Sequence, residues 1–476
     1  MKTTHALVLG YIFFAVAFFL FYPQAHLVSD EAEYSRTAYF LQEGRVTVDN
    51  VTEAYNFNTD GKSYFAQYPV GTALLLYPLI AMDYRAQFLL GFILHSLLFL
   101  FAILILKKLK ISPYYAFLYL FHPTLIYYSQ RLYSDLPSAF FIVAGAYFLF
   151  FRSIPFLAGL LLGFSVLIRY TNLIFIAPFV FGYLFYLWKE HRYQWNALIK
   201  PIFSLLPGFA LFGVFILWFN HKVYGAWHLT GYSFSIQHFS FSFLGVTLHL
   251  IVFILALTFF YPFLSFALFR KQYLKELVCF QLSVFLGILF YSFMQYSPSF
   301  QEMFSALFFV NLRFLVPLLP FMIILYAAWI SRWNLSKLGI AVIVCLAIFS
   351  LFVLHLGYES SDRNFRIMTD LHANTEEESF ITGFTLSQFF HESFGKRYFL
   401  SPNPKYVSGD QDYLEQSKDA DYLILTFSAD EENKYFNLLQ SLLEERNGTL
   451  VYNNTYVTES IVPVSAPLRI ELYDLS

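Results

Sequence analysis

Five charged residues stand at the ends of apolar runs, where an ionisable group is costly and usually faces a cavity or a partner. Asp30 and Glu31 lie in "VSDEAEYSRTAYFLQEG" (Val28 to Gly44), directly after the run "ALVLGYIFFAVAFFLFYP". Asp135 opens the run in "YSDLPSAFF", Arg169 interrupts "LIRYTNL", and Arg313 precedes "FLVPLLP" in "NLRFLVPLLP". An arginine fork binds phosphate oxygens bidentately and keeps its charge, so outward arginines beside apolar helices would suit a lipid-linked phosphate. A carboxylate opposite such a leaving group could take the proton of an attacking hydroxyl, and one such base suffices for inversion at an anomeric carbon. Asp30 or Glu31 is the candidate base. Asp30 and Asp135 could also share a divalent cation, Mg or Mn, that offsets the charge on a departing phosphate. An acid in a first helical turn also complements the helix dipole, which alone would account for Asp135. The residues do not choose among these roles.

The elements that would carry these residues are membrane spans. The chain has 476 residues, of which 58% are hydrophobic and only 13% charged, against about 25% charged in soluble domains. Its mean hydropathy is +0.55. Aromatics reach 22%, with 61 Phe and 36 Tyr, so packing must be largely aromatic. A net charge of -2 gives no basic field, and nucleic-acid partners are set aside. Cys279 and Cys345 both lie in apolar runs, as small buried hydrophobes rather than a disulfide framework. The first run lacks a convincing small-residue cleavage site and is expected to remain as a span.

At about 20 apolar residues each, about eleven spans fit. They are expected near residues 6–23, 86–106, 113–129, 136–151, 154–168, 171–188, 199–219, 243–268, 277–294, 312–330 and 336–356. The basic loops "KKLK", "KEHR", "RKQYLK" and "SRWNLSK", with Arg152, fall on one side, which is then the cytoplasm. The loop 24–85, the turns holding Asp135 and Arg169, and everything after His355 would face outward. Within that first loop, "YPVGTALLLYPLIAM" is short, apolar and broken by prolines, as an interfacial or re-entrant segment would be. The tail 358–476 is polar. It reads as four strands and an amphipathic helix, a compact α/β domain outside the membrane. Asn50, Asn447 and Asn453 head outward N-x-Thr sequons. His95, His122, His249 and His355 lie in or beside spans and are expected to serve packing, and His221, His228 and His238 match no metal spacing.

The ordered pieces resemble the GT-C superfamily of integral-membrane glycosyltransferases, in the branch of protein O-mannosyltransferases and aminoarabinose transferases. "SDEAEYSRTAYFLQEG" is similar to the first-loop acidic signature, and "YFAQYPVGTALLLYPL" to a Tyr/Lys-Pro-Pro-Gly segment with its following helix. "HPTLIYYSQRLYSDLPSAFF", "GLLLGFSVLIRYTNLIFIAP", "FNHKVYGAWHLTGY" and "LRFLVPLLPFMIIL" resemble later pieces in the same order. The resemblance covers roughly residues 1–355 and implies a mainly α, polytopic membrane bundle, 1–357, with the extracytoplasmic α/β domain at 358–476. It implies a catalytic role for Asp30, with Glu31 beside it, a second acidic site at Asp135, and a donor-phosphate contact at Arg313. Val70 stands in place of the second proline, and Gln67-Tyr68 where aminoarabinose transferases have lysine, with Lys62 near enough to substitute. Arg169, Lys62 and Tyr68 therefore join Arg313 as expected phosphate contacts.

The implied activity is inverting transfer of a monosaccharide from a polyprenyl-phosphate donor, at the outer face of the plasma (inner) membrane. The acceptor would be a protein hydroxyl, a glycolipid or a polymer, with membrane lipid as surroundings. The tail lacks β-trefoil repeats, and the absence of a Trp-Trp-Asp-Tyr-Gly motif argues against an oligosaccharyltransferase. A transporter or flippase is the alternative. Transporters often show internal repeats and span-centre charges or broken helices, and neither is clear in the sequence. A noncatalytic member that binds a partner through its outer domain is a third.

Overall fold

The computed structural model describes residues 2–48, 57–59, 63–234, 243–272, 274–293, 310–333, 335–383, 394, 398–399, 419–428, 436–456 and 468–475. Helices carry most of the described residues up to Ala373. Among the described residues five are long and apolar enough to cross a membrane: Arg85–Lys108, Asn172–Glu190, Leu198–Tyr224, Lys275–Ser292 and Ser336–Ala373. Shorter apolar helices occupy Thr4–Leu20, Asp135–Phe150, Pro155–Ile168, Gly245–Phe260 and Leu319–Arg332. Large side chains such as Leu9, Phe181, Phe203 and Ile348 are exposed on these helices. Apolar surface on that scale belongs in lipid, and the chain is a multi-pass membrane protein.

The helix labels follow chain order: α1 Lys2–Leu20, α2 Ser29–Gln42, α3 Gly71–Ile80, α4 Leu89–Lys108, α5 Phe117–Leu120, α6 Pro123–Ser129, α7 Asp135–Phe150, α8 Pro155–Ile168 and α9 Asn172–Glu190. Then come α10 Asn196–Tyr224, α11 Phe243–Phe260, α12 Leu264–Phe269, α13 Lys275–Ser292, α14 Val310–Arg313, α15 Leu319–Arg332 and α16 Ser336–Ala373.

The span expected near 113–129 is not one continuous helix. A 3-10 turn at Pro113–Ala116 leads into the four-residue α5, and the chain breaks at Phe121 and His122 before α6. Pro123 is the reason. The residue before a proline is pushed out of the α region, and His122 sits at φ -74, ψ 117 with its ring accepting the Thr124 N–H at 3.2 Å. The span expected at 243–268 likewise divides into α11 and α12, hinged at Phe263 with φ 67. The one expected at 312–330 becomes α14, a turn and α15 around Pro317 and Pro320.

The first long loop is folded. α2 lies against α3, with Glu31 through Ala38 buried. Three two-residue strands, β1 Thr47–Val48, β2 Asn58–Thr59 and β3 Tyr64–Phe65, pair antiparallel in the order β1-β3-β2. The apolar segment forms α3 and packs on the bundle. A Cβ at Gly71 would lie 2.7 Å from the Ile168 backbone nitrogen, so only glycine lets α3 approach the end of α8.

The tail forms one five-stranded sheet of β4 Phe380–Gly383, β5 Tyr398–Phe399, β6 Tyr422–Ser428, β7 Thr449–Tyr456 and β8 Leu468–Asp474, in the order β5-β4-β6-β8-β7. The expected amphipathic helix is α17, Phe436–Arg446. Composition changes at 358, but the backbone does not: α16 runs on to Ala373. Its Ile367 and Leu371 join Ile381, Ile424, Ile470 and Leu472 in the sheet's apolar core.

Candidate active site

Four element ends meet at one place. Asp30 is in the first turn of α2, and Asp135 in the first turn of α7. Arg169 caps α8 in extended conformation (φ -149, ψ 119), within the short link to α9. Arg313 ends α14. Asn172, at the start of α9, donates to the Ser138 hydroxyl at 2.9 Å and the Ser165 carbonyl at 2.7 Å. Those bonds lock the α7, α8 and α9 ends together and hold Arg169 beside Asp135.

The charges pair as a chain. Arg169 Nη1 donates to Asp135 Oδ1, and Arg313 Nε to Asp135 Oδ2 at 3.3 Å. Arg313 Nη2 reaches Asp30 Oδ2 at 2.9 Å. The Arg313 guanidinium carbon lies 4.0 Å over the Tyr133 ring, a cation–π contact that fixes its plane. Arg169 Nη2 also donates to the Tyr291 hydroxyl at 3.3 Å. Side-chain exposure is lowest at Asp135, 0%, and rises outward from it to 11% at Arg169 on one side and to 18% at Arg313 and 23% at Asp30 on the other. Asp30 is therefore the open end. Its Oδ2 is held by Arg313, and its Oδ1 accepts no hydrogen bond from the described residues.

Tyrosines line this end. Tyr34 stacks on Tyr68 at 4.9 Å, Tyr68 meets Tyr232 edge-on at 6.0 Å, and Tyr232 meets Tyr170 at 6.5 Å. Burial pushes the Tyr68 hydroxyl well above its ordinary range, with the Asp30 and Glu33 charges adding to it. Burial does the same to Tyr34. These phenols are neutral hydrogen-bond donors rather than bases. A Cβ at Gly231 would lie 2.3 Å from the Gln67 carbonyl oxygen, so glycine lets the loop of Tyr232 close onto the loop of Tyr68.

Glu31, the other candidate base, stands apart from the ion-pair chain. It is completely buried, and both carboxylate oxygens accept backbone N–H groups, from Leu27 at 2.6 Å and Leu132 at 2.9 Å. Burial raises its carboxyl above the usual range, and Arg131 opposes the shift. The side chain joins the segment before α2 to the turn before α7. Glu33 makes a second tie of the same kind, its Oε1 accepting the Gln67 N–H at 2.6 Å and the Tyr68 N–H at 3.2 Å. Sequence reasoning gave no role to Glu33, Tyr133, Tyr232 or Tyr291. The first three stand in the quoted pieces: Glu33 beside Asp30 and Glu31, Tyr133 two residues before Asp135, and Tyr232 at the end of "FNHKVYGAWHLTGY". Tyr291 carries no local signal. Lys62 and the Asn50 sequon lie outside the described residues.

The described residues contain no group of three His, Cys, Asp or Glu side chains suited to a metal. Both Asp135 oxygens face guanidinium groups and Asp30 faces one, so the pair does not fit a shared cation in this arrangement. Two of the span histidines bond within the bundle: His95 Nε2 lies 3.0 Å from the Leu120 carbonyl, and His249 Nδ1 2.8 Å from the Gly245 carbonyl.

Two solved structures match along the whole chain. ArnT from Cupriavidus metallidurans in the apo state superposes with a TM-score of 0.60 at 11% identity, covering 99% of this chain and 98% of that one. The fold is of the GT-C type. ArnT from the same organism bound to undecaprenyl phosphate gives a TM-score of 0.58 at 11% identity, covering 98% of each chain. No protein-family model and no curated protein matches the sequence. Within this fold the pieces that carried the resemblance occupy α2, α3, α7, the α8–α9 link, the end of α10 with the loop to Tyr232, and the α14–α15 turn, and four of them supply the charged chain.

Proposed function

We propose that this chain is an inverting glycosyltransferase that moves a monosaccharide from a polyprenyl-phosphate donor to an acceptor hydroxyl at the outer face of the membrane. One observation carries the proposal: Asp30, Arg313, Asp135 and Arg169, from four distant segments, form one ion-pair chain that opens at Asp30. The likeness to ArnT bound to undecaprenyl phosphate supports the donor class.

In this mechanism Arg313 and Arg169 hold the donor phosphate, with Tyr68 as a neutral donor beside them. The acceptor hydroxyl approaches the anomeric carbon from the face opposite the phosphate. Its proton passes to Asp30 Oδ1 as its oxygen bonds to the carbon. The bond from that carbon to the phosphate oxygen breaks, and its electron pair leaves with polyprenyl phosphate, which gains a negative charge. The arginines stabilise that charge as it develops. A single displacement inverts the anomeric centre. Asp135 touches neither reactant; it positions the two guanidinium groups and balances their charge. The basic loops at the opposite ends of the spans support the outward orientation.

Asp30→Asn tests the proposal. It keeps the shape and removes the base, so transfer from a polyprenyl-phosphate sugar should fall about 100- to 10,000-fold. Donor binding and thermal melting should hold. Unchanged transfer would remove the base from the mechanism, and lipid or solute transport without transfer would favour a transporter.

A further inference from the structure

Between α6 and α7 the chain passes through residues 130–134 as an irregular turn, all of it buried. This turn delivers half of the charged site. The Leu132 N–H meets Glu31 at 2.9 Å, the Tyr133 ring lies 4.0 Å under the Arg313 guanidinium, and Asp135 follows at the start of α7. A buried segment with no helix or strand to hold it takes its position from the groups that bond it.

Gln130 stands at the entry to the turn, and its side chain is buried. Its amide nitrogen donates to two carbonyls from distant elements. One is Phe21 at 2.8 Å, just past the end of α1, and the other is Leu354 at 3.1 Å, in α16. Two carbonyl acceptors on that nitrogen fix which way the amide points. The seat is cut to fit it. A Cβ at Gly357 would lie 2.1 Å from Gln130 Oε1, so α16 carries a notch for this amide. A Cβ at Gly91 would lie 1.9 Å from the Ser129 carbonyl oxygen, so α4 carries a second notch for the preceding residue. Leu354, Gly357, Ser361 and Asn364 form one buried stripe of α16, and Ser361 and Asn364 bond Gln24 and His26 on the way from Phe21 to Asp30. The same helix face therefore holds the approach to Asp30 and, through Gln130, the approach to Asp135.

We infer that Gln130 is a positioning residue: its amide seats the 130–135 turn on α16 and, through Tyr133 and Asp135, sets where Arg313 stands. It acts through those two residues and not on a reactant. The kinetic consequence rests on the glycosyltransferase reading; the seating of the turn does not.

Two substitutions in the full chain remove this contact from opposite sides. Gln130→Met keeps the length and loses the amide. Gly357→Ala keeps the glutamine and fills its notch. What the new methyl meets is the free end of a side chain, and alanine is the better helix former, so α16 keeps its fold. Each variant is read by melting, by hydrogen exchange of the peptide Leu132–Asp135, by undecaprenyl phosphate binding and by transfer. In both, the peptide should exchange faster. Transfer should fall at least about tenfold, since a shift of about 1 Å near reacting groups can cost on the order of 100-fold. Melting of Gly357→Ala should stay near the parent's. The double variant should lose no more than the worse single one, because both remove one contact. Unchanged exchange in both variants would overturn the seating. Faster exchange with full transfer per folded molecule would leave Gln130 structural and overturn its positioning role, as would losses that add in the double variant. Failure of the catalytic reading looks different: Asp30→Asn keeps full transfer, or the parent moves no sugar. Undecaprenyl phosphate affinity then decides, weakened about tenfold in both variants if Gln130 sets Arg313 and equal to the parent's if it does not.

Discussion

At the level of single residues, the two aspartates of the ion-pair chain would, in the proposed mechanism, divide stability from chemistry. Asp135 is fully buried between two guanidinium groups. Replacing it with Asn leaves those cations uncompensated, and breaking such a pair costs about 3–5 kcal/mol. Asp135→Asn should therefore lower both the melting temperature and transfer, whereas Asp30→Asn, at the exposed end, should lower transfer alone. A melt of Asp135→Asn that matches the parent would mean the arginines are held by something other than this carboxylate. The convergence of Asp30, Asp135, Arg169 and Arg313 was legible in the sequence because an ionisable group beside apolar residues needs a partner. The surroundings of Glu31 were not legible, for a physical reason. Its partners are backbone N–H groups, one of them at Leu132, and no residue type announces a backbone contact across the fold.

At the level of elements, the approach of loops decides how tightly the site is built. The loop at Gly231 touches the carbonyls of Ala66 and Gln67. Gly231→Ala must push the two loops apart, moving Tyr232 away from Tyr68. The expected result is a rise in KM and a fall in transfer, with the melting transition of the bundle little changed, checked by steady-state kinetics and circular dichroism. Loss of the bundle transition itself would make this contact structural. Long apolar runs predicted the long helices because length and apolarity are the requirements for a span. The breaks at Pro123, Phe263 and Pro317 were missed because a proline or a left-handed residue inside an apolar run can be tolerated or can divide the helix, and neighbouring helices settle which. The structured first loop was hidden for a similar reason: α2 holds together by burying polar side chains against α3 and the 66–68 segment, not by its own periodicity.

At the level of the whole molecule, orientation is the property to probe. A cysteine at Glu377, in the exposed turn after α16, should react with a membrane-impermeant thiol reagent in intact cells. One at Lys189, exposed in the last turn of α9, should react only after permeabilisation; both are made in a Cys345→Ala background. The reverse pattern would invert the topology and put the candidate site in the cytoplasm. The 38 residues of α16 give a helix of about 57 Å, nearly twice the roughly 30 Å hydrocarbon core. One stiff rod thus begins among the lipids and ends inside the distal sheet, and its bonds at Ser361 and Asn364 brace the chain segment that leads into Asp30. Any displacement of the rod would carry that segment with it.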